Sequence, residues 1–465
     1  MNKYFFIFFT LTISSFFFAC DPEELNNNST LKFSENQITF DTVFTTLGST
    51  TKFVTIHNTS NAPLKTKIRL ASGNQSYYSI NVDGVAGVSF DNVEIPAKDS
   101  IFIFVKVTIN PGNQNTPFLV KDSIEFITGN TKQDIDLIAY GQDANFIVAD
   151  SGPANLRYKI VAGANETTVW TNEKPYVVFG WAVVDSLGTL QIQPGTKIYF
   201  HANSGLWVYR YGHLQAVGNK DNPILFRSDR LDEWYDTDFT QWNRIWIMEG
   251  TKDNIIDYAI VTNSFVGIQM EAFSEYTGNK TIISNTIIKN NQNSSVIARW
   301  ADFDMTNCVV TNSGGCSLQL EVGEWNIKNS TFANYSTLGR DSTYPVVYVS
   351  NKSTFDNSTF NSSANFENCI MYGNFSRELV EYKYANVELS TSYKNCIIKT
   401  YQVLPSFVSC LRNTDPQFVD KSKLDFRLKS TSPAINAGIS NGVLFDILGN
   451  PRTGNPDIGA YEYSN

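Results

Sequence analysis

The chain has 465 residues, and because single hydrophobic cores stop growing near about 250–300 residues, it requires two or more units or a repeat architecture. Charged residues make up only 17% of it, against about 25% in ordinary globular proteins, and aromatic residues make up 14%, which excludes a fold built on charged helices. The net charge of −9 and the lack of any Lys/Arg cluster exclude nucleic acid as a partner, because phosphate binding needs a basic face.

At the start, Lys3 supplies a positive charge, Tyr4 to Phe18 form an apolar stretch too short to span a bilayer, and Ala19-Cys20 follows, so residues 1–19 read as an export signal. The pattern resembles a lipoprotein signal peptide, with Phe17 where Leu is usual, and the resemblance implies that Cys20 is lipidated; the alternative is an ordinary secretory signal with a chance Cys. Residues 20–30 form an acidic and polar tether. Asp21, Glu23 and Glu24 resemble the signal that sends Bacteroidota lipoproteins to the outer face of the outer membrane. Asp41-Thr42-Val43, Asp99-Ser100-Ile101, Asp122-Ser123-Ile124 and Asp185-Ser186-Leu187 are similar to the short motif on which that phylum places O-glycans. Together these resemblances imply a protein anchored in outer-membrane lipid through Cys20 and facing the cell exterior.

Over residues 31–144, alternating runs such as Lys52 to Ile56, Lys67 to Leu70, Ile101 to Val107, Ser123 to Phe126 and Ile135 to Ile138 are separated by turn residues, which predicts an antiparallel β-sandwich. Phe40-Asp41-Thr42-Val43 leading to Gly48, Asn58 to Leu64, and Ala139-Tyr140-Gly141-Gln142 resemble hydin-type immunoglobulin-like domains, which space or bind. His57 ends an alternating strand and reads as structural.

Over residues 147–414 internal similarity dominates. Asn285-Thr-Ile-Ile-Lys-Asn290, Asn307-Cys-Val-Val-Thr-Asn312 and Asn329-Ser-Thr-Phe-Ala-Asn334 recur every 22 residues, with looser copies starting at Tyr258, Asn357, Asn368 and Asn395. Such a period with short strands and no helices predicts a right-handed parallel β-helix, so the fold class is all-β throughout. Each leading Asn is expected at a left-handed turn, pointing inward and bonded to its stacked copies. The third position after it (Ile288, Val310, Phe332, Phe360, Met371, Ile398) is buried, and so is the small residue at the first (Thr286, Cys308, Ser330, Ser358, Cys369, Cys396). Three of the cysteines are therefore packing residues; Cys369 and Cys396 could bridge if their coils are neighbours, whereas Cys316 and Cys410 have no assignable partner. Residues 415–465 contain Asp415-Pro416-Gln417-Phe418, Ser432 to Gly438, Asp446 to Arg452 and Asp457 to Glu462, which resemble the ending of choice-of-anchor Q β-helix proteins, and are expected to cap the open end of the helix.

The repeat region resembles pectin-lyase-like β-helices, which include polysaccharide lyases and hydrolases. The segment that breaks the coil rhythm, Arg227 to Asp238, is the place where such chemistry would sit: Arg227, Asp229, Arg230, Asp232 and Glu233 are the candidate catalytic groups, and Trp234, Tyr235 and Trp242 could stack on sugar rings. Asp236 and Asp238 could hold calcium, although no EF-hand spacing is present, and no other cofactor is expected. The competing reading is that Arg227 and Arg230 pair with the neighbouring acids while the aromatics pack the loop onto the coil. His201 and His213 read as ordinary surface or turn histidines, and with three His in the chain a zinc site is not expected. The reading that follows is a non-catalytic surface lipoprotein binding a glycan, with a polysaccharide lyase or glycoside hydrolase and a structural accessory subunit as alternatives.

Overall fold

The computed structural model describes residues 30–111, 118–250, 252–272, 280–336 and 340–464, the Trp234 side chain excepted. The export signal, Cys20 and most of the tether lie outside the described residues. The chain divides into two compact units, 1–143 and 144–465.

The first unit is a sandwich of two five-stranded sheets. Alternation explains it strand by strand. In Ser100–Val107, Ile101, Ile103, Val105 and Val107 face a core that also contains Phe40, Val54, Ile68, Phe126 and Leu137, while Phe102, Phe104 and Lys106 face out. Pairing is antiparallel except where Gln37–Phe44 runs parallel to Thr131–Gln142. The Asn58 amide is buried and donates to the carbonyls of Ala62 (2.9 Å) and Ile95 (3.0 Å) while its oxygen accepts from Ser60 N, so this one side chain fixes two loops.

The second unit is a parallel β-helix. Each coil adds one short strand to each of three parallel walls of eleven, nine and ten strands. The corner leading into the eleven-stranded wall is a single left-handed residue. Tyr258, Asn285, Asn307, Asn329, Asn368 and Asn395 hold it at φ between 46° and 54°, conformations in which Asn is least strained among residues with a Cβ. Beyond the corner, Ile288, Val310, Phe332, Met371 and Ile398 point into the central core and Val309, Ala333, Ile370 and Ile397 point out, as the copies predict. The copy at Asn357 departs from the pattern: Phe360 is 53% exposed, and the segment is an excursion between Val347–Ser350 and Ser362–Glu367.

The small inward residue has a use the sequence did not disclose. Each hydroxyl or thiol donates to the carbonyl two residues back: Thr286 to Ser284 (2.7 Å), Cys308 to Thr306 (3.3 Å), Ser330 to Lys328 (2.8 Å), Cys369 to Glu367 (3.3 Å) and Cys396 to Lys394 (3.3 Å). Several also accept the backbone N–H of the previous coil, as Ser330 does from Cys308 N at 3.1 Å and Cys396 from Cys369 N at 3.5 Å. Cys410 donates to Val408 O at 3.5 Å behind the left-handed Ser409, which makes it the next rung of the same ladder. All five described cysteines are free thiols, Cys369 and Cys396 included although their coils are neighbours. Burial pushes Cys308 and Cys316 up to about 12, far from nucleophilic use.

Bonding between stacked copies is present where Asn307 donates to Asn285 at 3.2 Å, but the inward direction of the Asn side chains and the expected end cap are both corrected by one finding. The Asn amides turn outward, and the C-terminal tail lies on them along the eleven-stranded wall instead of across its end. Asn307 donates to Phe445 O (2.7 Å), Asn329 accepts from Asn441 (2.8 Å), Asn368 donates to Ile439 O (2.8 Å) and Asn395 to Ala437 O (2.9 Å). Between these anchors Phe418, Phe426, Ile447 and Ile458 cover Val309, Ala333, Ile370 and Ile397. Buried Asp446 knots the tail by accepting from the backbone of Leu448, Asn450 and Glu462 at 2.7–2.9 Å; the Asn450 amide also donates to it at 3.0 Å and the Glu462 carboxylate accepts from Asp457 N at 2.8 Å, which is why Asp, Asn and Glu stand at those motif positions.

Candidate functional site

The segment between Ile224–Ser228 and Ile245–Met248 is a long excursion from the coil, held against the following coils. Its outer turn is pinned by a second run of left-handed asparagines: Asn263 donates to Asp236 O (2.9 Å) and Asp238 O (2.8 Å), and Asn290 to Asp236 O (3.0 Å). Arg227 Nη2 contacts Asp236 Oδ1 at 3.0 Å, Arg230 lies 4.7 Å over the Tyr235 ring, and Asp229 Oδ2 sits 2.7 Å from His201 Nδ1. Asp232 and Glu233 open the short 3-10 turn Glu233–Tyr235. Trp242 is not available to a ligand, because it is 1% exposed, stacks on Phe200 at 4.3 Å and donates to Thr262 O at 2.8 Å. Arg227, Asp229 and Asp236 are thus held in ion pairs, and Arg230 lies on a ring. Among the described residues no group of three or more His, Cys, Asp or Glu could hold a metal ion, and the Asp236 carboxylate is engaged by Arg227. His201 proves to be an ion-pair partner of Asp229, which raises its pKa above the ordinary histidine value.

The more capable surface is the outer face of the nine-stranded wall. Alternation in Ile245–Met248, Ile268–Glu271, Val296–Arg299 and Leu318–Glu321 sends the first and third residues inward, so the second and fourth form two ladders across the coils. One ladder runs Trp207, Trp246, Gln269, Ile297, Gln319, Tyr348. The other runs Met248, Glu271, Arg299, Glu321, Ser350, Tyr382. At one end Trp207 and Trp246 stack at 5.1 Å with planes 13° apart, and Trp181 closes on both at 6.3 and 6.0 Å. Gly205 makes room for that indole: a Cβ there would lie 2.6 Å from the Trp181 ring. At the other end Tyr348 and Tyr382 approach to 5.8 Å, with Tyr382 and Tyr384 exposed. Strand spacing of ~4.8 Å sets the Trp246 and Tyr348 strands about 19 Å apart.

Between the two aromatic platforms the polar groups are matched. Arg299 bridges Glu271 (2.8 Å) and Glu321 (3.0 Å), Trp246 Nε1 donates to Glu271 at 3.2 Å, and Thr354 N donates to Glu321 at 2.9 Å. Arg244 donates to Gln269, and Arg210 Nε lies 3.2 Å from a Glu249 carboxylate oxygen. Three arginines thus face three glutamates. At the corner of this wall, a shallow cavity of about 30 Å³ is lined by Glu249, Lys252, Trp300 and Asp302, and burial pushes the Asp302 carboxyl up to about 6. The recurrent Ile-Gln-Met-Glu of 268–271 and Leu-Gln-Leu-Glu of 318–321 are the sequence signal for this face.

No family model matches the chain, and no curated protein matches it. Among solved structures it is similar to the ASH / PapD-like domain of human CEP192 (12% identity, 26% of this chain and 91% of that one, TM-score 0.17). It is similar to a family 123 glycoside hydrolase from Clostridium perfringens as well (10% identity, 24% of this chain, TM-score 0.18), and it spans only 25% of the length of that enzyme. The catalytic domain of a GH87 alpha-1,3-glucanase in complex with nigerose is matched over 73% of this chain and 90% of that one at 9% identity, with a TM-score of 0.11.

Proposed function

We propose that this is a lipid-anchored protein of the bacterial outer surface that binds a glycan, without cutting it, on the outer face of its nine-stranded wall. The observation that carries the reading is the pair of aromatic platforms, Trp207 with Trp246 and Tyr348 with Tyr382, separated by amides and paired charges. Partly exposed rings offer apolar faces to sugar rings, and fixed amides, carboxylates and guanidinium groups between them offer hydrogen bonds to hydroxyls. Glu271 and Glu321 share Arg299 and so remain ion-paired, which favours binding over acid–base chemistry. Cys20 with Asp21, Glu23 and Glu24 supports the anchored, outward-facing placement. The lyase or hydrolase alternative has one observation in its favour, the Asp302 carboxyl at about 6 beside Glu249 and Trp300.

The purified protein screened against a polysaccharide panel, reading both retention and new reducing or unsaturated ends, tests this. Retention without products is the expected result. Product formation abolished by Asp302→Asn would replace the binding reading with the enzymatic one.

A further inference from the structure

A second site, on a different wall and independent of the glycan reading, is indicated by polar groups that the fold buries and leaves unpartnered. Along the outer face of the eleven-stranded wall, Thr262 pairs with Lys289 and Lys289 with Thr311, and Arg227 stands beside Thr262 because Phe226 pairs with Val261. All four point outward, since Phe226, Val261, Ile288 and Val310 occupy the central core. The row lies under the loop carrying Asp236, which is held there by Asn263 and Asn290.

Three atoms of this row, Arg227 Nε, Thr262 Oγ1 and Thr311 Oγ1, are buried and have no hydrogen-bond partner among the described residues, with Thr262 6% and Thr311 1% exposed. Buried polar atoms are almost always satisfied, so three in one row across four successive coils, with Lys289 between the two threonines, call for a partner along that row. The charge is unbalanced as well: among the described residues the carboxylate that acts on Lys289 is Asp236, which already holds Arg227 Nη2 at 3.0 Å. A partner that accepts hydrogen bonds from a guanidinium, an ammonium and two hydroxyls at once is an oxyanion.

We propose that Arg227, Thr262, Lys289 and Thr311 form a binding site for an oxyanion, the carboxylate, sulfate or phosphate of a free ion or of an acidic sugar, with Lys289 supplying the uncompensated charge. Burial lowers the Lys289 ammonium pKa, and a bound anion would raise it again. The site differs in kind from the nine-stranded wall, where three arginines are matched by three glutamates.

Calorimetric titration of the purified protein with inorganic sulfate, inorganic phosphate, a uronic acid disaccharide and a neutral disaccharide of the same size tests the proposal. The expected result is saturable binding of one or more of the three anions, weakened at least tenfold by Lys289→Met, largely retained in Lys289→Arg and unchanged in Trp246→Ala. Tighter binding of the uronic acid assigns the site to an acidic sugar, and tighter binding of the inorganic ions assigns it to a free ion. Absence of saturable anion binding to the unsubstituted protein, or equal binding by Lys289→Met, overturns the proposal. The unsubstituted titration decides even if Lys289→Met does not fold.

Discussion

The nine-stranded and eleven-stranded walls are made by the same coils, yet their outer faces are treated in opposite ways. The eleven-stranded wall sends Val309, Ala333, Ile370 and Ile397 outward, and the chain lays its own C-terminal tail over them, hooked to Asn307, Asn329, Asn368 and Asn395. The nine-stranded wall sends out indoles, phenols, amides and matched charges, with Tyr382 and Tyr384 exposed. A coil therefore does not decide by its backbone which wall is structural. The alternate residue decides it: apolar outward residues demand a cover, and amphipathic ones can meet a ligand.

That contrast can be broken most severely on the covered wall. Phe418→Ala removes a ring packed on Tyr335 and Phe426, and urea unfolding should show a loss of about 3–5 kcal/mol, whereas Tyr382→Ala on the open wall should cost less than about 1 kcal/mol. Where the two walls join, Arg340 and Glu378 form a fully buried ion pair, with Arg340 also donating to Asn334 O at 2.9 Å. Arg340→Met should destabilise by about 3–5 kcal/mol because Glu378 is left charged and buried, and adding Glu378→Leu should recover much of that loss in the same assay. The smallest expected effect is on the loop of the covered wall. Asp229 raises the pKa of His201 in the folded protein, so the contribution of this pair is complete below the unfolded histidine value near about 6.5 and is lost as pH rises through the folded one. His201 is 52% exposed, so the change is modest. Amide exchange of residues 229–241 should be faster at pH 8 than at pH 5.5 after correction for intrinsic rates, and His201→Gln should remove the difference.

Much of the architecture was legible because it rests on period and alternation. The 22-residue copies locate the coils, and the parity within each copy separates Ile288, Val310 and Phe332 from Ile287, Val309 and Thr331. The direction of the Asn side chains was not legible, because a left-handed corner residue belongs to neither face and its amide follows whatever packs outside it. The Asn357 copy misled because five residues of matching letters carry no register, which only pairing with the coils above and below supplies. At the candidate site the Arg227 to Asp238 cluster is conspicuous by its charge density, but Arg227 is tied to Asp236, Asp229 to His201, and Arg230 to the Tyr235 ring. The wall residues escaped because each is a single letter in a four-residue strand, and they become a surface only when Trp207, Trp246, Gln269 and Tyr348 are stacked by the coils.

The most direct test of the account is retention of the protein on the polysaccharide panel, comparing the unsubstituted chain with Trp207→Ala/Trp246→Ala and with Phe53→Ala as a control on the exposed face of the first unit. The account predicts that the double substitution lowers affinity for the retained glycan at least tenfold while its urea midpoint stays close to that of the unsubstituted protein, and that the control binds normally. Undiminished retention by the double variant would contradict it.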